Sequence, residues 1–220
     1  MATRRRRLLP PILLGVMGLS LLAGLNLGQQ RHTGLPWNAA PPDVQAVLWP
    51  EPRPLNDFRL TTHTGESFGP QALKGRWSFV FFGYLGCPDI CPSSLHAMRE
   101  MDRIMTERDS ANLERQFIFV SVDPAHDRPE AIAAYLDWYQ AGFIGLAGTP
   151  EEIEDLATPM AIKFEEHIDA AGNRSIDHTS SLMMIDPQGR VVGALPPPLL
   201  PERMVQQFER LHAFLSRRSI

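Results

Sequence analysis

Two short, unbroken apolar runs constrain the fold of this chain more than any other feature: Trp77 to Phe82, ending at Gly83, and Phe117 to Val122. A strand without polar alternation must be covered on both faces, as strands inside a helix-flanked sheet are. The segment between the runs predicts a helix. Pro92, Ser93 and Ser94 supply its opening, and Leu95, Met98, Ile104 and Met105 recur at helical spacing among Arg99, Glu100, Asp102 and Arg103. Strand, helix and strand in that order form a parallel crossover unit.

Downstream, Pro129 opens a second helix with Ile132, Tyr135, Leu136 and Tyr139 on one stripe. Thr149, Pro150 and Glu152 read as the capped start of a third. Phe143 to Leu146 between them suits a short strand. Ser180 to Ile185 and Arg190 to Ala194 are joined by Asp186-Pro187-Gln188-Gly189, which predicts an antiparallel hairpin. Glu202 to Ser216 then predicts an amphipathic closing helix with Met204, Phe208, Leu211 and Leu215 inward. The expected fold is α/β, a mixed sheet flanked by helices.

Charge is distributed unevenly. Arg4, Arg5, Arg6 and Arg7 precede 21 residues, Leu8 to Gly28, that contain no charge, and the first acidic residue is Asp43. That length spans a bilayer, and the arginines hold their flank in the cytoplasm, so a signal anchor would place the remaining chain across the membrane. A cleaved signal peptide is the alternative, although Ala23-Gly24-Leu25 lacks a clear small-x-small site; a faint twin-arginine pattern would export the same domain. The folded part, with only Lys74 and Lys163 as lysines and a net acidic balance, has no electrostatic footprint for nucleic acid. Six prolines between Gln29 and Pro54 favour extended backbone, expected as a linker with Trp49 packed on the domain edge. The expected partition is a cytoplasmic basic segment (1–7), a transmembrane helix (8–28), a Pro-rich linker (29–54) and a folded domain (55–220).

Cys87 and Cys91 are the only cysteines, which excludes a disulfide-stapled mini-fold and a four-cysteine zinc site. They stand where the first central strand hands over to its helix, the sheet edge at which α/β proteins bind ligands. Across a helical turn, two sulfurs at i and i+4 can hold one soft ion or close a disulfide, and a helix N-terminus favours thiolate. Two buried core cysteines are the plain alternative. A metal would need a third ligand. Of seven histidines, His178 is the candidate, because it precedes the apolar strand Leu182 to Ile185 on the segment expected to face the cysteine turn. Met98, Met101, Met105, Met183 and Met184 are expected in the core.

Phe81-Phe82-Gly83-Tyr84 with Cys87-Pro88-Asp89-Ile90-Cys91-Pro92, Ser121-Val122-Asp123-Pro124 with Asp127 and Pro129-Glu130, and Asp177-His178-Thr179-Ser180 together resemble the three signatures of the Sco/SenC copper proteins, in order and separation. The resemblance runs from about Leu55 to the C-terminus. It implies a thioredoxin-like fold, copper as Cu(I) or Cu(II) on Cys87, Cys91 and His178, and a redox-active disulfide between the two cysteines. Asp123 and Asp127 would shape the surrounding loop, with Asp177 beside them. A small residue, Gly86, precedes Cys87 where many members carry a larger side chain. Thioredoxin-like redox enzymes place a proline opposite their cysteines, whereas the corresponding segment here is Asp177-His178-Thr179, which favours a metal site over disulfide exchange.

The function so implied is a membrane-tethered metallochaperone, rather than an enzyme, that supports assembly of the copper A centre of cytochrome c oxidase. Its expected partners are the oxidase subunit bearing that centre and other copper or thiol-redox carriers. Its expected place is the bacterial inner membrane, single-pass, with the C-terminal domain on the periplasmic side. The alternative is a thiol-disulfide oxidoreductase that keeps the cysteines of a copper acceptor reduced, with Cys87 or Cys91 as nucleophile.

Overall fold

Paired strands begin well before the expected domain boundary. In the computed structural model, which describes residues 36–108, 113–172 and 174–218, a single helical turn α1 (Pro42–Gln45) leads into β1 (Leu48–Pro54). β1 pairs antiparallel with β10 (Arg190–Leu195) across a register shift. The stretch expected as a linker therefore contributes an edge strand. Pro50, Pro52 and Pro54 are tolerated because an edge strand has one unpaired side. Composition reported extended backbone but not whether a strand partner was within reach. Trp49 lies under the Arg53 guanidinium, 4.3 Å from its ring centroid.

The remaining elements are, in chain order, β2 (Leu60–Thr62), β3 (Ser67–Phe68), β4 (Trp77–Gly83), α2 (Ile90–Glu107), β5 (Arg115–Ser121), α3 (Pro129–Asp137), β6 (Ile144–Ala147), α4 (Pro150–Ala157), β7 (Phe164–Ile168), β8 (Arg174–His178), β9 (Leu182–Ile185), the already named β10, and α5 (Pro201–Arg218). Eight strands form one sheet in the order β1-β10-β9-β4-β5-β6-β2-β3, and β7 with β8 forms a separate two-stranded ribbon. β4, β5 and β6 are parallel neighbours, and β9 lies antiparallel to β4. This is the expected mixed α/β sheet, with the parallel crossover at its centre.

Local signals account for these elements well. All seven residues of β4 are buried, as an uninterrupted apolar run requires. Thr149 and Glu152 form a reciprocal capping box at α4. In the β9–β10 turn the Asp186 carboxylate accepts from the Gln188 and Arg190 amides at 3.0 Å, and Gly189 takes φ +78°. Met98, Met101, Met105, Met183 and Met184 are all buried in the core. One boundary differs: α2 starts at Ile90, so Cys91 sits in its first turn and Pro92 at a position whose missing N–H would have been an orphan anyway. The β7–β8 ribbon and the β2–β3 pair are additions, short and largely polar. Residues Pro36 to Phe214 form one compact unit. Among the described residues no helix is long and apolar enough to cross a membrane; Leu8 to Gly28, the expected anchor, lies outside them.

Candidate metal centre

Topology brings the site together. β9 runs antiparallel to β4 with Met183 opposite Val80, so the chain entering β9 passes the C-terminal end of β4. His178 closes β8 just before that entry, and Cys87 and Cys91 follow β4 directly. Residues 87 positions apart thus meet, with His178 Nε2 3.4 Å from Cys91 Sγ. The ligand atoms of Cys87, Cys91 and His178 all lie within 4.8 Å of one another, and among the described residues this is the group of such donors that converges.

The first sulfur replaces a helix cap. Asp89 makes no side-chain cap to α2; instead the Cys91 amide donates to Cys87 Sγ at 3.4 Å. Cys91 is fully buried and Cys87 8% exposed, with Pro88, Asp89 and Ile90 exposed around them. Burial and the hydrogen bond with Cys87 push the Cys91 thiol far above its ordinary range. The helix N-terminus was expected to favour thiolate; at Cys91 desolvation wins, so that sulfur keeps its proton until a cation replaces it.

The imidazole is set up as an acceptor. Its Nδ1 lies 3.3 Å from the Thr179 carbonyl, and the tautomer that donates there leaves the Nε2 lone pair toward the sulfurs. Burial holds the ring's pKa below its ordinary value, which keeps it neutral. Phe81 and Tyr84 meet it edge-on with centroids 5.7 Å and 6.2 Å away. Two soft sulfurs and one neutral imidazole suit a soft ion. Gly83 makes room for them: a Cβ there would lie 2.9 Å from Cys91 Sγ and 3.0 Å from the Phe119 ring.

Polar groups tie the loops together behind this trio. Asp127 accepts from the Leu85 amide at 3.0 Å and the Ser121 hydroxyl at 2.6 Å, which holds the segment leading to Cys87. Ser121 Oγ also accepts from the Asp123 amide. Asp123 accepts from two guanidinium nitrogens of Arg174, at 2.6 Å on Oδ2 and 2.9 Å on Oδ1, and His126 Nδ1 lies 2.8 Å from the same Oδ1. Burial alone would raise the Asp123 carboxyl, but Arg174 and His126 outweigh it and the net shift is downward. Burial raises Asp127.

Asp177 departs from expectation. Adjacent strand residues face opposite ways, so with His178 turned inward Asp177 points outward and meets His167 at 3.3 Å. The other described histidines lie elsewhere: His63 accepts from the Gly145 amide, His96 is exposed on α2, and His212 stacks against Phe208. Sequence reasoning named Gly83 and Ser121 within its motifs without giving them a role, and it missed Arg174. Gly83 had a signal, as a residue without a side chain ending a run of bulky ones; Arg174 had none. Beside His178 an open groove of about 620 Å³, lined in part by Thr158, Ile162, Lys163 and Phe164, leads to the imidazole.

Comparison with known proteins places these features in context. The family model described as SCO1/SenC matches residues 50–213. The Homo sapiens protein SCO1 homolog, mitochondrial, is 33% identical over 166 residues, covering 73% of this chain and 48% of its own; this chain thus spans about half the length of that relative. Among solved structures, Bradyrhizobium japonicum ScoI with copper bound superposes with a TM-score of 0.60 at 30% identity, covering 74% of this chain and 99% of that one. Yeast Sco1 with copper bound gives 0.65 at 25%, covering 73% and 89%.

Proposed function

The chain belongs to the SCO1/SenC family, and on that premise we propose that it is a metallochaperone whose cargo is copper, held as Cu(I) by Cys87, Cys91 and His178. The observation that carries this reading is the convergence of two sulfurs and a neutral imidazole nitrogen within 4.8 Å. Loading displaces the protons of the two thiols, since Cu(I) binds thiolate. Transfer proceeds by ligand exchange. An acceptor sulfur reaches the ion from the exposed side of Cys87 or along the groove beside His178, and a donor sulfur of this chain then leaves and regains a proton. Exchange with the disulfide of a thiol-redox carrier, which takes up the two electrons and two protons as a dithiol, would leave a Cys87–Cys91 disulfide and remove both sulfurs from the site, so the redox state of the pair gates loading.

The wider setting follows from the same premise. Residues 8–28 anchor the chain in a bacterial inner membrane with the folded domain on the periplasmic side. The acceptor is the copper A-bearing subunit of cytochrome c oxidase, whose assembly this protein supports together with other copper or thiol carriers. Titration of the reduced full chain with Cu(I) tests the reading. One ion per chain is expected, with weaker binding by His178→Ala and almost none by Cys87→Ser or Cys91→Ser. Undiminished binding in all three variants would sink it.

The high pKa of the Cys91 thiol disfavours Cys91 as the attacking sulfur of the thiol-disulfide oxidoreductase alternative, which leaves that role to Cys87. A mixed disulfide with an acceptor, trapped in the presence of a strong copper chelator, would favour that alternative.

A further inference from the structure

The ribbon that carries His178 has little of its own to hold it in place. Among the described residues β7 and β8 pair only with each other, and an isolated two-stranded ribbon is marginal in water. Four of the five β7 residues are exposed, and Ile176 is the one buried residue of β8. The period-two alternation of a strand puts Arg174, Ile176 and His178 on one face. Arg174 is thus the polar contact at the far end of the same five-residue strand, about 13 Å from His178 at roughly 3.3 Å per residue.

That contact is well built. The guanidinium grips Asp123 through two nitrogens, and the Asp123 side chain is only 4% exposed. A buried carboxylate needs its cation, and the two-pronged fork fixes orientation as well as distance. Arg174 also reaches across the ribbon to Glu166, bracing β7 against β8. Asp123 is joined through Ser121 to Asp127, which holds the Leu85 amide just before Cys87. The histidine ribbon and the cysteine loop are thereby fastened to one point, the end of β5.

Resting on the copper reading above, we propose that Arg174 is a positioning residue: its clamp on Asp123 holds the β7–β8 ribbon so that His178 Nε2 faces the two sulfurs, and loosening the clamp weakens the site by releasing the imidazole. Arg174 touches no ion. It acts through His178, so its contribution disappears when His178 is absent.

The test compares the reduced full chain with Arg174→Gln, Arg174→Lys, His178→Ala and the Arg174→Gln/His178→Ala double variant, each titrated with Cu(I) against a chromogenic Cu(I) chelator. Hydrogen exchange is followed on the metal-free proteins. Arg174→Gln is expected to weaken Cu(I) binding about ten-fold, the lower end of what losing an outer hydrogen-bond partner costs a metal site. Protection of the β7 and β8 amides should fall while that of β4, β5 and β9 stays. The double variant should bind no more weakly than His178→Ala alone. Arg174→Lys keeps the charge without the fork and should recover part of the affinity; should Arg174→Gln fail to fold, the lysine variant carries the same comparison. Parental affinity in Arg174→Gln beside a weakened His178→Ala would overturn the clamp and leave the copper reading intact. An Arg174→Gln loss that persists in full without His178 would overturn the positioning role. Parental affinity in His178→Ala would remove the imidazole from the site and overturn the clamp with it; the copper reading falls only if Cys87→Ser and Cys91→Ser also bind undiminished.

Discussion

Gly83 stands 2.9 Å from Cys91 Sγ, measured from where its Cβ would be if it had one. The fully buried sulfur therefore borders the space that the last residue of β4 leaves empty, as do the Phe81 and Phe119 rings. Gly83→Ala should push the sulfur or the rings aside. Overpacking of this kind costs about 1–3 kcal/mol. Urea unfolding of the metal-free chain should register that loss, and Cu(I) titration should show weaker binding; an unchanged affinity would show that the sulfur has room to move.

His178→Ala reduces the site to two sulfurs. Its loss of Cu(I) affinity should exceed the roughly 10–100-fold typical of removing an outer hydrogen-bond partner. Competition with a chromogenic chelator measures it, and X-ray absorption of the loaded protein should lose its nitrogen scatterer.

Copper binding should strengthen as pH rises, through the thiols. Cys91 holds its proton well above the ordinary range, so loading releases it and affinity should climb by about one log unit per pH unit for each thiol proton displaced. Burial lowers the His178 pKa from its ordinary 6.5, so between pH 7 and 8 the slope should be the same in His178→Ala. A flatter slope in that variant would mean the imidazole titrates in this range.

Stability of the metal-free chain should fall on acidification. His178 and His212 both have folded pKa values depressed by burial. The unfolded chain therefore takes up their protons first, and stability present above the unfolded value of 6.5 is lost as pH drops through it toward the folded values. Denaturant midpoints at pH 7.5 and 5.5 should differ in that direction, and less so in His178→Ala.

Asp127→Ala leaves the Leu85 amide and the Ser121 hydroxyl without their buried partner. An orphaned buried group costs about 1–3 kcal/mol. Urea unfolding should show that loss, and exchange of the Leu85 amide should accelerate.

Much of the fold was legible because its signals are local. β4 and β5 announce themselves by unbroken apolar runs, α2 by its helical period, α4 by its capping box, and the β9–β10 hairpin by its Asp-Pro-Gln-Gly turn. β1 was not, since prolines indicate extended backbone without saying that β10 offers it an edge. Nor was the β7–β8 ribbon: Phe-Glu-Glu-His-Ile carries too little apolar alternation to separate a strand from a surface loop.

By itself, the order of residues determined that a cysteine pair would sit at a strand-to-helix junction, and it singled out His178 as the third donor, because strand runs, helix openings and turns depend on near neighbours along the chain. Only the tertiary structure decided that the Cys91 thiol would stay protonated despite its helix, that Asp177 would turn away, and that Arg174 would grip Asp123 from 51 residues off. Desolvation and ion pairing depend on which distant groups share a volume, and no local spacing encodes that.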